Sequence, residues 1–231
     1  MKIKALKAKY IVLFIIILIP VYFISYVVYY NYAIENNKEL SLKYINQLVE
    51  YPVGSYDTNN ATKIIKNLSN MKPKIFEKMM EKNIKIKLIN SRIIDNKEIM
   101  TFLNGVTNSK GIPIKDIEGI YLYNPDLEKR FVAIRIDVMV NAADGTETHE
   151  IAHVADNIMG NVSLKEKFSE IYKEEMNNIY SNKGYEEWLD SQEYFAMIFT
   201  DYYAGEMKRK ILKRRVPKSY EFIKEFIHDF N

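Results

Sequence analysis

The sequence predicts an α+β protein, with an N-terminal transmembrane helix followed by a single, mostly helical domain that contains a small mixed sheet. Three observations predict this class. An uncharged apolar run opens the chain, segments with apolar residues at helical spacing dominate the remainder, and two short segments have the composition of strands. The part that follows the apolar run, residues 35–231, has the size of one domain and can bury its own core.

The N-terminal segment predicts a membrane anchor. Residues 10–33 carry no charged side chain, and a lysine cluster (Lys2, Lys4, Lys7 and Lys9) precedes them. A run of this length can span a bilayer, and such lysines stay on the cytoplasmic side. The alternative is a cleaved secretory signal. Such a signal has a shorter apolar region that ends in a small-x-small site, and these features favour the anchor here. We therefore expect residues 1–34 to be a signal anchor in a single-pass cell-membrane protein with residues 35–231 outside the cell, or a secreted protein if the segment is cleaved.

Charge and cysteine usage exclude several kinds of site. The net charge is +3, and the four N-terminal lysines account for it. In the rest of the chain the basic and acidic residues nearly cancel, which gives no reason to expect a nucleic-acid partner. The chain has no cysteine, which excludes disulfides, thiolate ligands and a cysteine nucleophile. A metal would have to be bound by histidines and carboxylates.

The first half of the domain predicts three helices followed by a strand. Apolar residues at helical spacing predict the helices, which occupy residues 35–50, the segment after an N-cap at Asp57 or Thr58, and residues 74–81. Alternating apolar and basic residues predict the strand over residues 84–89.

The second half predicts a loop, a strand and four helices. Residues 105–130 contain glycines and prolines without a sustained period, which predicts a long loop beside a site. Residues 131–140 form the strongest strand pattern, and we expect this strand to be an edge to which an extended peptide substrate adds. Helical patterns begin at Thr146 and recur near residues 164–178, 185–206 and 217–229.

Residues 149–153 form an H-E-x-x-H sequence on the helix that begins at Thr146. A spacing of four residues puts His149 and His153 on one helical face, where they can bind one zinc ion. Glu150 lies about 100° round the helix, so it can reach a water on the metal and act as a general base. A chance match is the alternative, but two of the chain's 3 histidines lie in this pattern. We therefore expect a zinc site here.

A catalytic zinc needs a third protein ligand. The remaining histidine, His228, lies near the end of the last helix and is expected on the surface. A carboxylate from a second helix suits the position better, and Glu193 opens an apolar helical stretch. Glu186 and Glu187 are competitors, although acidic residues also favour solvated helix starts. Asp156 could orient a ligand histidine, or it could serve as a cap or a surface pair.

Several segments carry a resemblance to a known family over most of residues 35–231. In chain order they are LVEYPVGSYD, NIKIKLI, FLNGV, FVAIRID, THEIAHVAD, FSEIYKEE, EYFA and PKSYEFI. With these segments the sequence resembles the metalloprotease domain of anthrax lethal factor and, more closely, the clostridial Pro-Pro endopeptidases, which are small secreted zinc proteases. HEIAHVAD is the specific segment, and the others support it by their order.

The resemblance implies a set of roles. It implies that His149, His153 and Glu193 bind one zinc ion per chain and that Glu150 activates the water. In the family a tyrosine seven residues before the glutamate ligand stabilises the oxyanion. The nearest candidate here is Tyr185, which lies eight residues before Glu193.

The chain departs from the family next to the third ligand. The family places a second glutamate four residues after the ligand, where this chain has Met197. A supporting carboxylate would then come from Asp190 or Asp156. This departure favours the alternative function, a catalytically inactive, membrane-tethered binding module that retains the fold.

The substrate region departs as well. The family's tryptophan-containing loop aligns with PIKDIEG, which gives Ile114 where the Pro-Pro endopeptidases have tryptophan, and Tyr121 and Tyr123 extend the loop that follows. We expect these three residues to contact substrate. The sequence thus predicts a membrane-anchored zinc metalloendopeptidase that cleaves extracellular or cell-surface proteins near proline.

Overall fold

A computed structural model of the protein describes residues 2–103, 117–124, 129–138, 145–179 and 189–230, with side chains from Leu18 onward except that of Asn124. The described residues form nine α-helices and four strands. The helices are α1 (Lys2–Leu48), α2 (Thr58–Leu68), α3 (Pro73–Glu81), α4 (Lys97–Phe102), α5 (Thr146–Ile158), α6 (Glu166–Glu175), α7 (Ser191–Tyr203), α8 (Glu206–Arg215) and α9 (Pro217–Asp229). The α+β class with one small mixed sheet is confirmed.

The strands form one sheet with the order β1-β2-β4-β3. They are β1 (Val49–Glu50), β2 (Lys85–Ile89), β3 (Gly119–Asn124) and β4 (Lys129–Arg135). Strands β1, β2 and β4 are parallel to one another, whereas β3 pairs with β4 in the antiparallel direction. The predicted strand over residues 84–89 is therefore confirmed as β2.

The edge of the sheet differs from the prediction. Val132 of β4 pairs with Ile86 on one side and with Tyr121 on the other, so β4 is a central strand. The expectation that residues 131–140 form the edge was wrong, and the paired strand already ends at Arg135. Among the described strands the two edges are β1 and β3, and β3 lies inside the segment predicted as a loop. Its glycine and flanking prolines masked the alternation of Ile120 and Leu122 with tyrosines.

Helices cover both faces of the sheet. Val132 and Ile134 of β4 join the larger core, which α5 and α7 fill with Ile151 and Phe199, all almost completely buried. The side chain of Phe131, the neighbour of Val132 on the same strand, points to the opposite face and joins a smaller core there. On the first face α5 packs against β3 and β4, and α7 packs against α5.

Local signals at the helix ends account for most of the boundaries. Asp57 is the N-cap of α2, where its side chain accepts a hydrogen bond from the backbone N–H of Asn60 at 2.9 Å. The one helix expected over residues 185–206 corresponds, in its described part, to α7. Helix α8 was not predicted, and Gly205 separates it from α7 with a φ of 119°, a conformation that favours glycine.

Helix α1 continues into the domain, where Ile45 and Leu48 at its C-terminal end are buried in the core. The helix expected over residues 35–50 is thereby confirmed. Among the residues that the structure describes, however, no helix is both long and apolar enough to cross a membrane. The transmembrane helix predicted over residues 10–33 is therefore not supported.

Candidate metal centre

Helix α5 presents the H-E-x-x-H residues at the junction of α7 and β3. It begins after Gly145, whose carbonyl accepts a hydrogen bond from the backbone N–H of His149 at 2.9 Å. Ile151 and Ala155 are completely buried and anchor the opposite face of the helix in the core. Since that face is fixed, His149 and His153 project together from the face towards α7.

Three side chains converge between α5 and α7. The Nε2 atom of His149 lies 3.1 Å from Oε2 of Glu193 and 3.2 Å from Nε2 of His153. The Nε2 atom of His153 lies 3.5 Å from Oε1 of Glu193. One imidazole or carboxylate atom from each residue thus lies within 4.8 Å of the others.

Asp190 fixes the position of Glu193. It is the N-cap of α7, and its Oδ1 atom accepts hydrogen bonds from the backbone N–H groups of Gln192 at 2.9 Å and of Glu193 at 3.0 Å. The cap holds Glu193 in the first helical turn, so its side chain extends towards α5. The charge of Asp190 also raises the pKa of His153, against larger opposing effects.

The protonation states of His153 and Glu193 suit a cation. Burial, followed by the charge of His149, lowers the pKa of His153 to about 4, so this imidazole is neutral at pH 7. Burial favours the protonated form of Glu193, but the hydrogen bond to His149 and the histidine charges outweigh it and lower the pKa of the carboxyl. Burial likewise opposes charge on His149, but Glu193 and Glu150 outweigh it and raise the pKa of this imidazole. A neutral imidazole and an ionised carboxylate are the forms that bind metals, so a cation would have to displace the proton of His149.

Glu150 lies beside the three convergent residues without belonging to their cluster. Only 8 % of its surface is exposed. Burial and the charge of Glu193 raise its pKa to about 7, while His149 and a hydrogen bond from the backbone N–H of Tyr121 oppose the shift. A carboxyl with a pKa near 7 can both take up and release a proton at neutral pH.

The donor set fits zinc. Two imidazole nitrogens and one carboxylate are the ligands of many catalytic zinc sites, and they leave a fourth position open. Ligand atoms bound tetrahedrally at about 2.0–2.1 Å lie about 3.3–3.4 Å from one another. The separation of 3.2 Å between the two Nε2 atoms is close to this size, and each histidine lies 3.1 or 3.5 Å from one of the two oxygens of Glu193.

Comparisons with known proteins agree with this geometry. Residues 33–226 match the family model described as anthrax toxin lethal factor, N- and C-terminal domain. The chain belongs to this family. It is 30% identical over 200 residues to a Pro-Pro endopeptidase of Clostridioides difficile (strain 630), with 83% of this chain and 84% of that protein covered. It is 28% identical over 188 residues to a Pro-Pro endopeptidase of Paenibacillus alvei, with 78% and 82% covered.

A solved structure of the Pro-Pro endopeptidase from Paenibacillus alvei has the same fold. The TM-score is 0.65 at 26% identity, and the match covers 79% of this chain and 98% of that chain. The resemblance inferred from the sequence is therefore confirmed.

In this lethal factor family member, Asp156 has a different position from the one expected of a residue that orients a histidine. Its carboxylate accepts hydrogen bonds from the backbone N–H and the hydroxyl of Ser163, and the described hydrogen bonds of Asp156 include none to an imidazole. Burial raises the pKa of Asp156. The carboxylate thus ties the turn after α5 to the end of that helix. Asp190, by contrast, contacts the backbone N–H of the proposed ligand Glu193.

The predicted substrate residues Tyr121 and Tyr123 lie on β3. The hydroxyl of Tyr121 donates to Oδ1 of Asn157 at 3.0 Å, and burial raises the pKa of this tyrosine to about 12. The ring of Tyr123 is exposed under the guanidinium of Arg130, 4.2 Å from the ring centroid. Both tyrosines therefore contribute backbone to the edge, while Tyr121 directs its side chain to α5.

Four other predicted residues lie outside the described part of the chain: Ile114, Tyr185, Glu186 and Glu187.

The side chain of His228 is 79% exposed, as expected of a surface histidine. Met197, for which the sequence made no prediction of burial, lies one turn after Glu193 on α7 and packs against the core.

One residue at the site was not singled out from the sequence. Gly119 begins β3 where this strand crosses α5, and a Cβ atom there would meet the side chains of Glu150 and Thr146. A glycine inside a strand pattern is a signal of close approach by another part of the chain. The signal was missed because the segment was assigned to a loop.

Proposed function

We propose that the chain is a zinc-dependent endopeptidase that cleaves peptide bonds near proline. One observation carries the proposal: His149, His153 and Glu193 converge beside the buried Glu150. It is supported by family membership and by the similarity to two Pro-Pro endopeptidases over most of the chain.

In this proposal each residue has a separate task. His149, His153 and Glu193 hold the zinc ion, which supplies a Lewis acid and lowers the pKa of water. Glu150 accepts the proton of the attacking water and passes it to the leaving amine, a role supported by its pKa of about 7. Tyr185 remains the candidate for oxyanion stabilisation on the basis of the resemblance alone.

The substrate would bind along the free side of β3. The backbone N–H of Arg135 donates to the carbonyl of Glu118 at 2.8 Å, which identifies a hydrogen-bonded pair. Because such pairs alternate in an antiparallel ladder, the backbone groups of Gly119, Tyr121 and Tyr123 point away from β4. The Tyr121 N–H lowers the pKa of Glu150 against the larger effect of burial, which agrees with an N–H that points away from β4.

An extended peptide can use those outward groups. Adding a strand to β3 would align the peptide backbone with an edge whose Tyr121 N–H contacts the general base. Glu150 would then lie within reach of one peptide bond of the added segment. This arrangement replaces the β4 edge expected from the sequence.

The preference for proline is supported by the relatives, whose names specify Pro-Pro endopeptidases. Proline has a fixed φ, so a proline-containing peptide loses less conformational entropy when it binds in an extended form. Since Ile114 replaces the tryptophan of those enzymes, we do not assign cleavage to a Pro-Pro bond. We propose that proline lies within about three residues of the cut, the reach of a short added strand.

Metal removal tests the proposal. Purified protein should cleave proline-containing peptides, lose this activity to a chelator and regain it when zinc is added. Proline-free peptides of equal length are the control. Zinc binding without cleavage of any peptide would instead support the inactive binding module that Met197 favours, and equal cleavage of proline-free peptides would contradict the preference.

Location outside the cell is a separate proposal that rests on the sequence. It is supported by the lysine cluster before the apolar residues 10–33. The substrates would then be extracellular or cell-surface proteins. Protease added to intact cells should degrade the domain, whereas full protection of the domain in intact cells would contradict this location.

A further inference from the structure

Gly119 lies where the edge strand β3 passes closest to α5. A Cβ atom at this position would lie 2.8 Å from Cγ of Glu150, 2.8 Å from Cγ2 of Thr146 and 3.3 Å from Oε1 of Glu150. The first two separations are shorter than real Cβ contacts. The φ angle of Gly119 is outside the left-handed region. Glycine is therefore required here for space and not for backbone conformation.

Neither neighbouring element can move away easily. Strand β3 is held by its ladder with β4, in which Ile120 pairs with Ala133 and Leu122 pairs with the buried Phe131. Helix α5 is held by the completely buried Ile151. Because interiors are close-packed, an added methyl group would displace side chains before it displaced either element.

The side chain of Glu150 occupies the space that a side chain at position 119 would need. Its Cγ and Oε1 atoms lie 2.8 and 3.3 Å from the position of that Cβ atom. The backbone N–H of Tyr121, two residues further along the strand, lowers the pKa of the Glu150 carboxyl against the larger effect of burial. The missing side chain of Gly119 therefore lets Glu150 pack against the edge strand beside the cluster of His149 and Glu193.

We propose that Gly119 is a positioning residue for Glu150: its lack of a side chain admits Glu150 to the edge of β3 and so places the carboxylate for proton transfer. The catalytic consequence rests on the proposed function, because it assumes that Glu150 is the general base. The contact itself can be measured whether or not the chain is a peptidase.

The catalytic consequence is a loss of turnover without a loss of metal. Gly119→Ala should displace the Glu150 carboxylate and lower kcat by about 10²-fold, the usual effect of a misplacement of about 1 Å. The zinc content should stay at the wild-type value, since the three atoms nearest to the added methyl group belong to Glu150 and Thr146 and not to a proposed ligand. A change in KM alone, with kcat unchanged, would contradict the positioning role.

A double-mutant cycle on thermal stability tests the contact directly. Gly119→Ala should lower Tm in the wild-type background and lower it less in the Glu150→Ala background, where Cγ of residue 150 is absent but the contact with Thr146 remains. Thr146→Ser is the matched control, because it removes Cγ2 and keeps the hydroxyl that donates to Glu118 at 3.0 Å. Part of the Tm loss should persist in that background.

The outcomes are distinct. Equal Tm losses in the wild-type and Glu150→Ala backgrounds, or a loss that vanishes completely with Thr146→Ser, would overturn the proposal. If Gly119→Ala alone does not fold, the triple variant with Glu150→Ala and Thr146→Ser, which removes both close contacts, should fold, and its failure to fold would also overturn the proposal. A chain without peptidase activity but with the expected Tm pattern would contradict the proposed function and leave the contact established.

Discussion

The Nε2 atom of His149 lies 3.1 Å from Oε2 of Glu193, although 44 residues separate the two along the chain. The proximity arises because α5 and α7 pack side by side on one face of the sheet and because the Asp190 cap holds Glu193 in the first turn of α7. This contact makes Glu193 the third candidate ligand.

Glu193→Ala should remove most of the zinc affinity. Loss of a residue that only hydrogen-bonds to a ligand raises the dissociation constant of a metal by about 10–100-fold. Because Glu193→Ala removes an anionic ligand itself, its dissociation constant for zinc should rise by more than this. Competition with a chromogenic chelator measures the constant. Gln192→Ala, in the same helical turn, is the control and should bind as wild type does. Wild-type affinity in Glu193→Ala would show that another group is the third ligand.

Asp156→Asn should leave zinc binding nearly unchanged. The hydrogen bonds of Asp156 go to Ser163, and an amide can keep both of them, so neither histidine ligand loses a partner. Zinc titration of the variant measures the effect. An affinity loss of about 10-fold or more would show instead that Asp156 orients a histidine, as the sequence analysis had considered.

Local patterns predicted much of this fold. The N-cap at Asp57, the strand β2 and the helix that carries His149 and His153 follow from signals confined to a few neighbouring residues. The edge strand could not be predicted in the same way, because strand order depends on pairings between distant segments. The pattern of apolar side chains along β4 would be the same in a central strand and in an edge strand with a buried face, so it could not show which strand lies at the edge.

The candidate site shows the same limit. The spacing of His149 and His153 is a property of one helix, so the sequence predicts that they lie together. Glu193 was assigned by resemblance, since its approach to α5 depends on tertiary packing. Sequence reasoning also missed Gly119, whose importance depends on the crossing of β3 and α5.

Substrate addition to β3 can be tested at Tyr123. Tyr123→Pro removes one outward N–H without disturbing the ladder to β4, so KM should rise by about 2- to 10-fold, the equivalent of one hydrogen bond of about 0.5–1.5 kcal/mol. Tyr123→Ala is the matched control, because it also loses the contact with Arg130 but keeps the N–H. Steady-state kinetics should separate the two variants, and equal KM values would argue against strand addition at this residue.

Turnover and zinc content of Glu150→Gln test the central claim most directly. The amide keeps the size of the side chain but cannot accept the proton of the attacking water. With a proline-containing peptide, kcat should fall by about 10²–10⁴-fold, the usual contribution of a general base, while elemental analysis finds as much zinc as in wild type. Unchanged turnover in a Glu150→Gln variant with full zinc content would contradict the assignment of this chain as a peptidase that uses Glu150 as its base.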